Sequence, residues 1–483
     1  MLFNSLDFAV FLPIVFLLYW FVFKDSLKQQ NLLILVSSYI FYGWWDWRFL
    51  SLILFSTLVD YLVGLRLGKE GSTVKRKFLL WISILVNLGL LGFFKYYDFF
   101  LENFISAFSF MGIEISASSL NIILPVGISF YTFQTLSYTI DVYRGKLKPC
   151  NDFIAFGSFV SFFPQLVAGP IERATDLLPQ FYYSRKFDYK KGVDGLRQIL
   201  WGFFKKIVIA DNCAEFSNLI FNNSDTYNGS TLVLGALFFT FQIYCDFSGY
   251  SDIAIGTSKM FGFDLKKNFA FPYFSRDIAE FWRRWHISLS TWFRDYLYIP
   301  LGGSKGGKLF QLRNTFIIFL VSGFWHGANW TFLAWGALNA IYFVPLLLLG
   351  KNRKHMGHVA EKGHFPGLRE AMSIFITFGL TVFAWIFFRA DNMGHAIGYL
   401  SEIFSKSTLA LPDFRGRRMA LITLSLILGF VSVEWLGRKR DHVLQILEGV
   451  NSASLRYVFY LVLVLLIMFM GNFRENEFIY FQF

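Results

Sequence analysis

The sequence predicts an all-α polytopic membrane protein, and three observations carry that reading. Apolar residues make up 55% of the 483 positions, charged residues only 16%, and mean hydropathy is +0.46. A soluble chain would carry roughly a quarter of its residues as charges. The apolar residues gather in long runs free or nearly free of charge, and the cations sit in the short segments between them. That distribution is the positive-inside pattern of a chain whose main solvent is lipid.

A helix crosses the hydrocarbon with about 17–25 apolar residues, because about 30 Å is covered at about 1.5 Å per residue. Runs that meet this length lie at 8–23, 29–45, 49–65, 78–94, 121–140, 153–170, 226–245, 371–388, 419–433 and 456–473. A further stretch, Asn314 to Gly350, carries no formal charge and is long enough for two crossings. Lys305, Lys308 and Arg313 precede it and Lys351, Arg353 and Lys354 follow it, so a helical hairpin entering and leaving on the cytoplasmic side is expected. The total is about ten to twelve transmembrane helices in one integral-membrane domain over 1–483, with the core motifs at about 121–350 and no soluble domain or internal repeat.

The loops set an expected orientation. Lys24 and Lys28, then Arg66, Lys69, Lys75, Arg76 and Lys77, are separated by two spans and both fit the cytoplasmic side, which puts the N-terminus outside. Lys95 stands against Asp98, Glu102 and Glu114, as in an external loop. The alternation fails afterwards: residues 142–148 and 172–206 are both basic, yet one apolar run lies between them. The run at 153–170 therefore reads as a re-entrant or in-plane helix buried in protein, which lipid tolerates. The run from Phe8 to Phe23 lacks a basic leader and a small-residue cleavage site, so it reads as a retained first span.

The net charge of +12 would raise nucleic-acid binding on a soluble chain, but these cations belong to inter-span loops, and no nucleic-acid partner is expected. Cys150, Cys213 and Cys245 are far apart with no CxxC or zinc spacing, so neither a disulfide framework nor a metal is expected. Gly302 to Lys308 has the spacing of a phosphate-binding loop, yet Leu309 stands where a hydroxyl must meet magnesium. It reads as a flexible cytoplasmic loop. HExxH, GxSxG and GxGxxG are all missing from the sequence, and the phosphate-loop spacing fails, which argues against a zincin, a serine hydrolase and a nucleotide-dependent pump.

Polar residues interrupt the apolar middle third in three places. Tyr244 to Asp252 sets Asp246 and Asp252 with Ser248 and Ser251 at the end of a strong span. Asn268 to Leu297 contains Arg276, Asp277, Glu280, Arg283, Arg284, His286 and Arg294 among Trp282, Trp285, Trp292 and Phe293. Ser275 or Asp277 suits a helix cap, Glu280 and Arg284 form a stabilising pair, and the aromatic–arginine mixture describes a helix at the lipid–water boundary. The third place is Gly323 to Trp330, with His326 in the charge-free run. His286 fits a surface position as well as a site, and the carboxylates fit caps or ion pairs. His326 is harder to place as a bystander, because an imidazole among Phe, Trp and Ile carries a desolvation cost and such residues face cavities or substrate paths. Trp325 and Trp330 are expected to wall a small cavity, and Gly327 to leave room beside the ring.

These strings resemble the membrane-bound O-acyltransferase (MBOAT) family over nearly the whole chain. They include Tyr39 to Trp45, Phe94 to Tyr96, Leu124 to Tyr131, Asp141 to Gly145, Ala168 to Ile171, Asp246 to Asp252, Glu280 to Thr291, Arg294 to Tyr296, Trp325 to Gly327, Phe387 to Ala390 and Phe478 to Phe483. The resemblance implies transfer of an acetyl or other small acyl group from a cytoplasmic donor, such as acetyl-coenzyme A, across a bacterial inner membrane to an extracellular polysaccharide such as alginate. It also implies an extracytoplasmic hydrolase-like partner. Related members move D-alanyl groups to cell-wall polymers by the same fold. By resemblance His326 is the catalytic histidine and His286 the second family histidine, while Arg283, Arg284 and Asn268 are candidates for holding the donor. An alcohol is a weak nucleophile at neutral pH, and histidine, with an unperturbed pKa of about 6.5, suits the base it needs. The competing class is a transporter using Asp211, Asp246 and Asp252 as an ion relay, but the repeated halves with matching broken helices typical of transporters are not seen.

Overall fold

The computed structural model describes residues 1–113, 120, 122–167, 169–361, 363–473 and 478–479. Glu114, Asn121, Ala168 and Tyr480 to Phe483 lie outside the described residues. Among those described, the chain is helical without strands. That outcome follows from the solvent: lipid offers no hydrogen bonds, and a helix satisfies its own backbone.

The helices in order are α1 (Leu6–Val22), α2 (Leu27–Gly43), α3 (Trp47–Lys69), α4 (Thr73–Phe110), α5 (Ile128–Tyr143) and α6 (Phe153–Leu166). There follow α7 (Tyr189–Phe203), α8 (Asp211–Phe221), α9 (Gly229–Met260), α10 (Ile278–Arg284) and α11 (Ile287–Phe293). The last are α12 (Lys308–His326), α13 (Trp330–Leu348), α14 (Leu368–Arg389), α15 (Met393–Ile403), α16 (Arg417–Gly437) and α17 (Ala453–Met470). Among the described residues, seven of these are long and apolar enough to cross a membrane: α3, α4, α9, α13, α14, α16 and α17. The first apolar run, on α1, and the run at 153–166 form shorter apolar helices.

The chain packs as two units. The first holds residues 1–195 and 254–266. Its centre is polar: Asp60 of α3 accepts from Ser83 Oγ at 2.5 Å and Asn87 Nδ2 at 2.8 Å on α4, and from Thr139 Oγ1 at 3.1 Å on α5. These groups are all buried, and hydrogen bonds offset the cost of removing them from water. The segment expected to be re-entrant is too short to span and breaks at Phe162. Ser38 Oγ accepts from the Phe163 N–H at the break, and residues 155–166 are buried throughout, so protein rather than lipid surrounds the irregular backbone.

The second unit holds residues 196–253 and 267–483. A π-helical segment, Phe204–Ala210, links α7 to α8 and carries two buried lysines, Lys205 and Lys206. Gly202 and Gly249 let α7 and α9 approach closely, since a Cβ on Gly202 would lie 2.7 Å from the Gly249 carbonyl oxygen. The unit also contains the three polar interruptions.

Candidate functional site

The site grows from a broken helix and a helical hairpin in the second unit. Asp277 caps α10, its Oδ1 accepting from the Glu280 N–H at 2.7 Å. The Glu280 carboxylate takes hydrogen bonds from Arg276 and Arg284, each at 2.8 Å. Burial alone raises the Glu280 carboxyl, but the two guanidiniums outweigh it and hold the group below the usual carboxylate range. The helix stops at Arg284, and His286 takes a left-handed backbone with φ 42° and ψ 55° before α11 begins.

Asn268 holds this break open. The Ile287 N–H donates to the Asn268 carbonyl at 2.9 Å, and the Ala270 N–H to the Arg284 carbonyl at 2.9 Å. The side-chain Oδ1 of Asn268 accepts from Ser288 Oγ at 2.9 Å and the Ser288 N–H at 3.3 Å, while its Nδ2 donates to Ser251 Oγ at 3.1 Å. His286 Nδ1 lies 3.1 Å from the same Oδ1. Because that oxygen only accepts, the geometry assigns the proton to Nδ1 and the lone pair to Nε2. His286 is 1% exposed, and this burial pushes its pKa down to about 3, so the ring is neutral. The sequence-based boundary helix is thereby corrected. Trp285, Trp292 and Phe293 are buried, because the break turns these rings into protein instead of lipid.

The hairpin is α12 and α13. Lys308 Nζ donates to the Leu348 carbonyl at 3.0 Å, so the two outer ends meet, as the double basic flank suggested. Glycines set the contact between the helices. A Cβ on Gly323 would stand 2.3 Å from the Phe332 carbonyl oxygen, and one on Gly336 2.4 Å from that of Phe319. His326 closes α12 and is 3% exposed. Its ring stands edge-on to Trp335 at 5.2 Å and Phe388 at 5.3 Å, with Trp325 at 4.8 Å. The centroids of the His286 and His326 rings are 6.5 Å apart.

Two expectations about this corner are corrected. Trp330 is 56% exposed, and the rings that stand against His326 with Trp325 are Trp335 and Phe388. The space beside Gly327 is occupied by the Phe332 ring, one carbon of which would lie 2.0 Å from an added Cβ. Trp335 was missed because its run reads as ordinary apolar helix. Phe388 did lie in a motif string, and that was its signal.

Arg283 and Arg284 are held by protein groups. Arg283 donates to the Asn352 carbonyl at 2.7 Å and the His355 carbonyl at 2.8 Å, and Arg284 to Glu280 and the Gly357 carbonyl. They therefore fasten the segment that follows α13. A cavity of about 250 Å³ with a mainly apolar lining lies against α10, α12 and α13, with Trp282, Phe319, Ser322 and Phe343 in its wall, and neither histidine lines it. Arg294, Asn352 and Arg353 supply polar groups to it. Ser322 is one helical turn before His326, so the α12 face that lines the cavity leads toward the imidazole.

Residues 150–387 match the family model of the membrane-bound O-acyltransferases. A "Probable alginate O-acetylase" of Pseudomonas syringae pv. tomato is 40% identical over 441 residues, covering 90% of this chain and 82% of the relative. A "Peptidoglycan O-acetyltransferase" of Helicobacter pylori is 36% identical over 441 residues, covering 85% and 81%. The chain belongs to the membrane-bound O-acyltransferase family. A "Teichoic acid D-alanyltransferase" of Streptococcus thermophilus is 30% identical over 286 residues, 54% of this chain and 68% of that relative.

As a member of the MBOAT family the protein is a multi-pass membrane O-acyltransferase that uses an acyl donor. Its acidic cluster is held in ion pairs with buried lysines. Lys206 lies 2.9 Å from both Asp211 and Asp246, and Lys205 lies 2.6 Å from Asp252. Asp246 also accepts the Ile479 N–H at 2.9 Å, tying the end of the described chain to α9. The lysines were missed by span counting, although two adjacent lysines between Phe204 and Ile207 are themselves a signal of burial with partners. Among the described residues no group of three His, Cys, Asp or Glu side chains gathers as metal ligands do.

Proposed function

We propose that this O-acyltransferase moves an acetyl group, or another small acyl group, from cytoplasmic acetyl-coenzyme A across a bacterial inner membrane for O-acylation of an extracellular polysaccharide such as alginate. The relatives named for alginate and peptidoglycan acetylation align along most of the chain, which favours acetyl and a polymer acceptor. One observation supports the site assignment: two buried imidazoles lie 6.5 Å apart, and Ser322, one turn before His326 on α12, lines a mainly apolar cavity.

In this reading, neutral His326 takes the proton of the acceptor hydroxyl while that oxygen attacks the thioester carbonyl. The carbon–sulfur bond breaks, and the proton passes from the imidazolium to the departing thiolate. The products are an O-acyl ester and a free thiol. His286, its Nδ1 proton held by Asn268, is the second catalytic imidazole and offers Nε2 as an acceptor beside the reacting groups. The cavity takes the acyl end of the donor, while Arg294 and Arg353 at its lining complement the donor's phosphates more directly than Arg283 and Arg284, which fasten the adjacent segment. In this reading the first acceptor hydroxyl belongs to an extracytoplasmic hydrolase-like partner; a polymer hydroxyl then attacks that ester, the polymer ester forms, and the partner's hydroxyl is restored.

The test is transfer of labelled acetyl from acetyl-coenzyme A to extracellular polymer by cells carrying wild type or His326→Gln, with membrane abundance as the control. Gln keeps size and hydrogen bonding but not basicity. Near-wild-type transfer by His326→Gln overturns the general-base role.

A further inference from the structure

The loop joining α3 to α4 forms a basic pocket that the acyl-transfer reading does not use. Arg66, Lys69, Glu70, Lys75, Phe78 and Leu79 line a cavity of about 330 Å³. That is space for roughly ten waters, at about 30 Å³ each in the liquid. Three cations against one carboxylate leave a net +2, and Glu70 is 3.9 Å from Lys75 only. Among the described residues, neither the Arg66 guanidinium nor the Lys69 ammonium makes a hydrogen bond or ion pair.

The pocket is built rather than improvised by a loose loop. Arg76 donates to the Leu67 carbonyl at the end of α3 and to the Tyr143 carbonyl at the end of α5, the latter at 2.8 Å. The Ser72 N–H donates to Glu70 Oε1 at 3.0 Å. One arginine thus ties three helix ends together, while Arg66 and Lys69, one turn apart on α3, stay available to a ligand. The positive-inside bias accounts for the sign of these residues but not for a cavity between them.

The floor decides which anion fits. Phe78 lines the cavity yet is 66% exposed, and Val74, one turn earlier, is 76% exposed. Both sit at the start of α4, a helix apolar enough to cross the membrane, so the basic rim passes directly into lipid-facing surface. A free phosphate has no use for that floor, whereas a phospholipid has chains to lay along it. We propose that this pocket binds the phosphate-bearing headgroup of an acidic membrane phospholipid, with Arg66 and Lys69 on the phosphate and Phe78 under the first acyl carbons. Basic pockets between transmembrane helices are suited to such headgroups.

The experiment uses the purified full-length protein in detergent, titrated with dioleoyl phosphatidylglycerol or dioleoyl phosphatidylcholine and read by native mass spectrometry. Wild type should hold the phosphatidylglycerol adduct far more tightly than the phosphatidylcholine one. Arg66→Gln/Lys69→Gln should weaken it by about thirtyfold, from two lost surface charges. The charge-conserving Arg66→Lys/Lys69→Arg should keep it, which guards against misfolding as the cause. Lys305→Gln/Lys308→Gln, with the same charge loss elsewhere, should leave it unchanged. The proposal fails if the two lipids bind alike, if the 305/308 variant weakens the adduct equally, or if millimolar inorganic phosphate or coenzyme A displaces it, since that would mark a soluble-anion site.

Discussion

The two histidines are equally buried but held in opposite ways. His326 ends a regular helix and is surrounded by rings: Trp325, Trp335 and Phe388. His286 sits at a break with left-handed backbone and is held by a carboxamide that also binds Ser288 and Ser251. An aromatic cage fixes a ring's place by shape rather than by a hydrogen bond to one nitrogen. A polar clamp fixes the tautomer by consuming one nitrogen. In the proposed reading, the pair divides the requirements of a proton-transfer site between a reactive imidazole and an oriented one.

The largest effect should come from His326. His326→Ala should lower acetyl transfer by at least about 10²–10⁴-fold, the usual contribution of a positioned base. His286→Asn, which keeps a residue type tolerant of φ above zero but removes the ring and its Nε2, should cost less, because in the proposed reading His286 assists while His326 takes the proton. Turnover with equal membrane abundance measures both. Equal losses would break the division and place both imidazoles in the chemical step.

The next effect tests the clamp itself. Asn268→Ala removes the acceptor of Ser288 and of the His286 proton together. Transfer should fall by about 10²-fold, since a displacement of about 1 Å at a reacting group costs that much. The unfolding midpoint in detergent should also drop, because each buried donor left without its partner costs about 1–3 kcal/mol. A variant with lost stability but intact turnover would show that the clamp serves the fold and not the histidine.

A smaller effect belongs to the aromatic side of the comparison. Gly336→Ala puts a methyl 2.4 Å from a backbone oxygen of the facing helix, so α12 and α13 must move apart. Overpacking of this kind costs about 1–3 kcal/mol, again read as an unfolding midpoint. His326 should shift with its helix and turnover should fall by less than in Asn268→Ala. No change in either quantity would contradict the close approach.

Much of this was legible before any coordinates. Most of the long apolar runs lie on helices, although residues 122–127 of the run at 121–140 precede α5 and the run at 153–170 breaks at Phe162, and the double basic flank of 314–350 marked a hairpin. Periodicity sees a charge-free helix directly, which is why His326 stood out. The break at His286 was not legible, because Asp277 to Leu297 reads as one amphipathic helix and the residue that interrupts it, Asn268, is nearly twenty positions away. For the same reason the rings of Trp285, Trp292 and Phe293 were assigned to lipid. Gly327 misled differently: a missing side chain signals close approach, and only the structure says that Phe332 is what approaches.

The smallest effect is expected at the foot of the hairpin. Lys305 and Lys308 sit in a glycine-rich loop with the spacing of a phosphate cradle but with Leu309 where a hydroxyl should stand. Gly302 and Gly303 have φ of 99° and 56°, so the glycines there serve turns. Lys308 donates to the Leu348 carbonyl, an exposed contact with the end of α13. Neither lysine lines the cavity beside α12, although Ser304 does. Lys305→Ala/Lys308→Ala should therefore leave acetyl transfer within about twofold of wild type, because exposed charges of this kind contribute about 0–1 kcal/mol. The measurement is the same labelled-acetyl assay normalised to membrane abundance. A tenfold loss at normal abundance would move the donor's phosphates from the cavity wall to this loop.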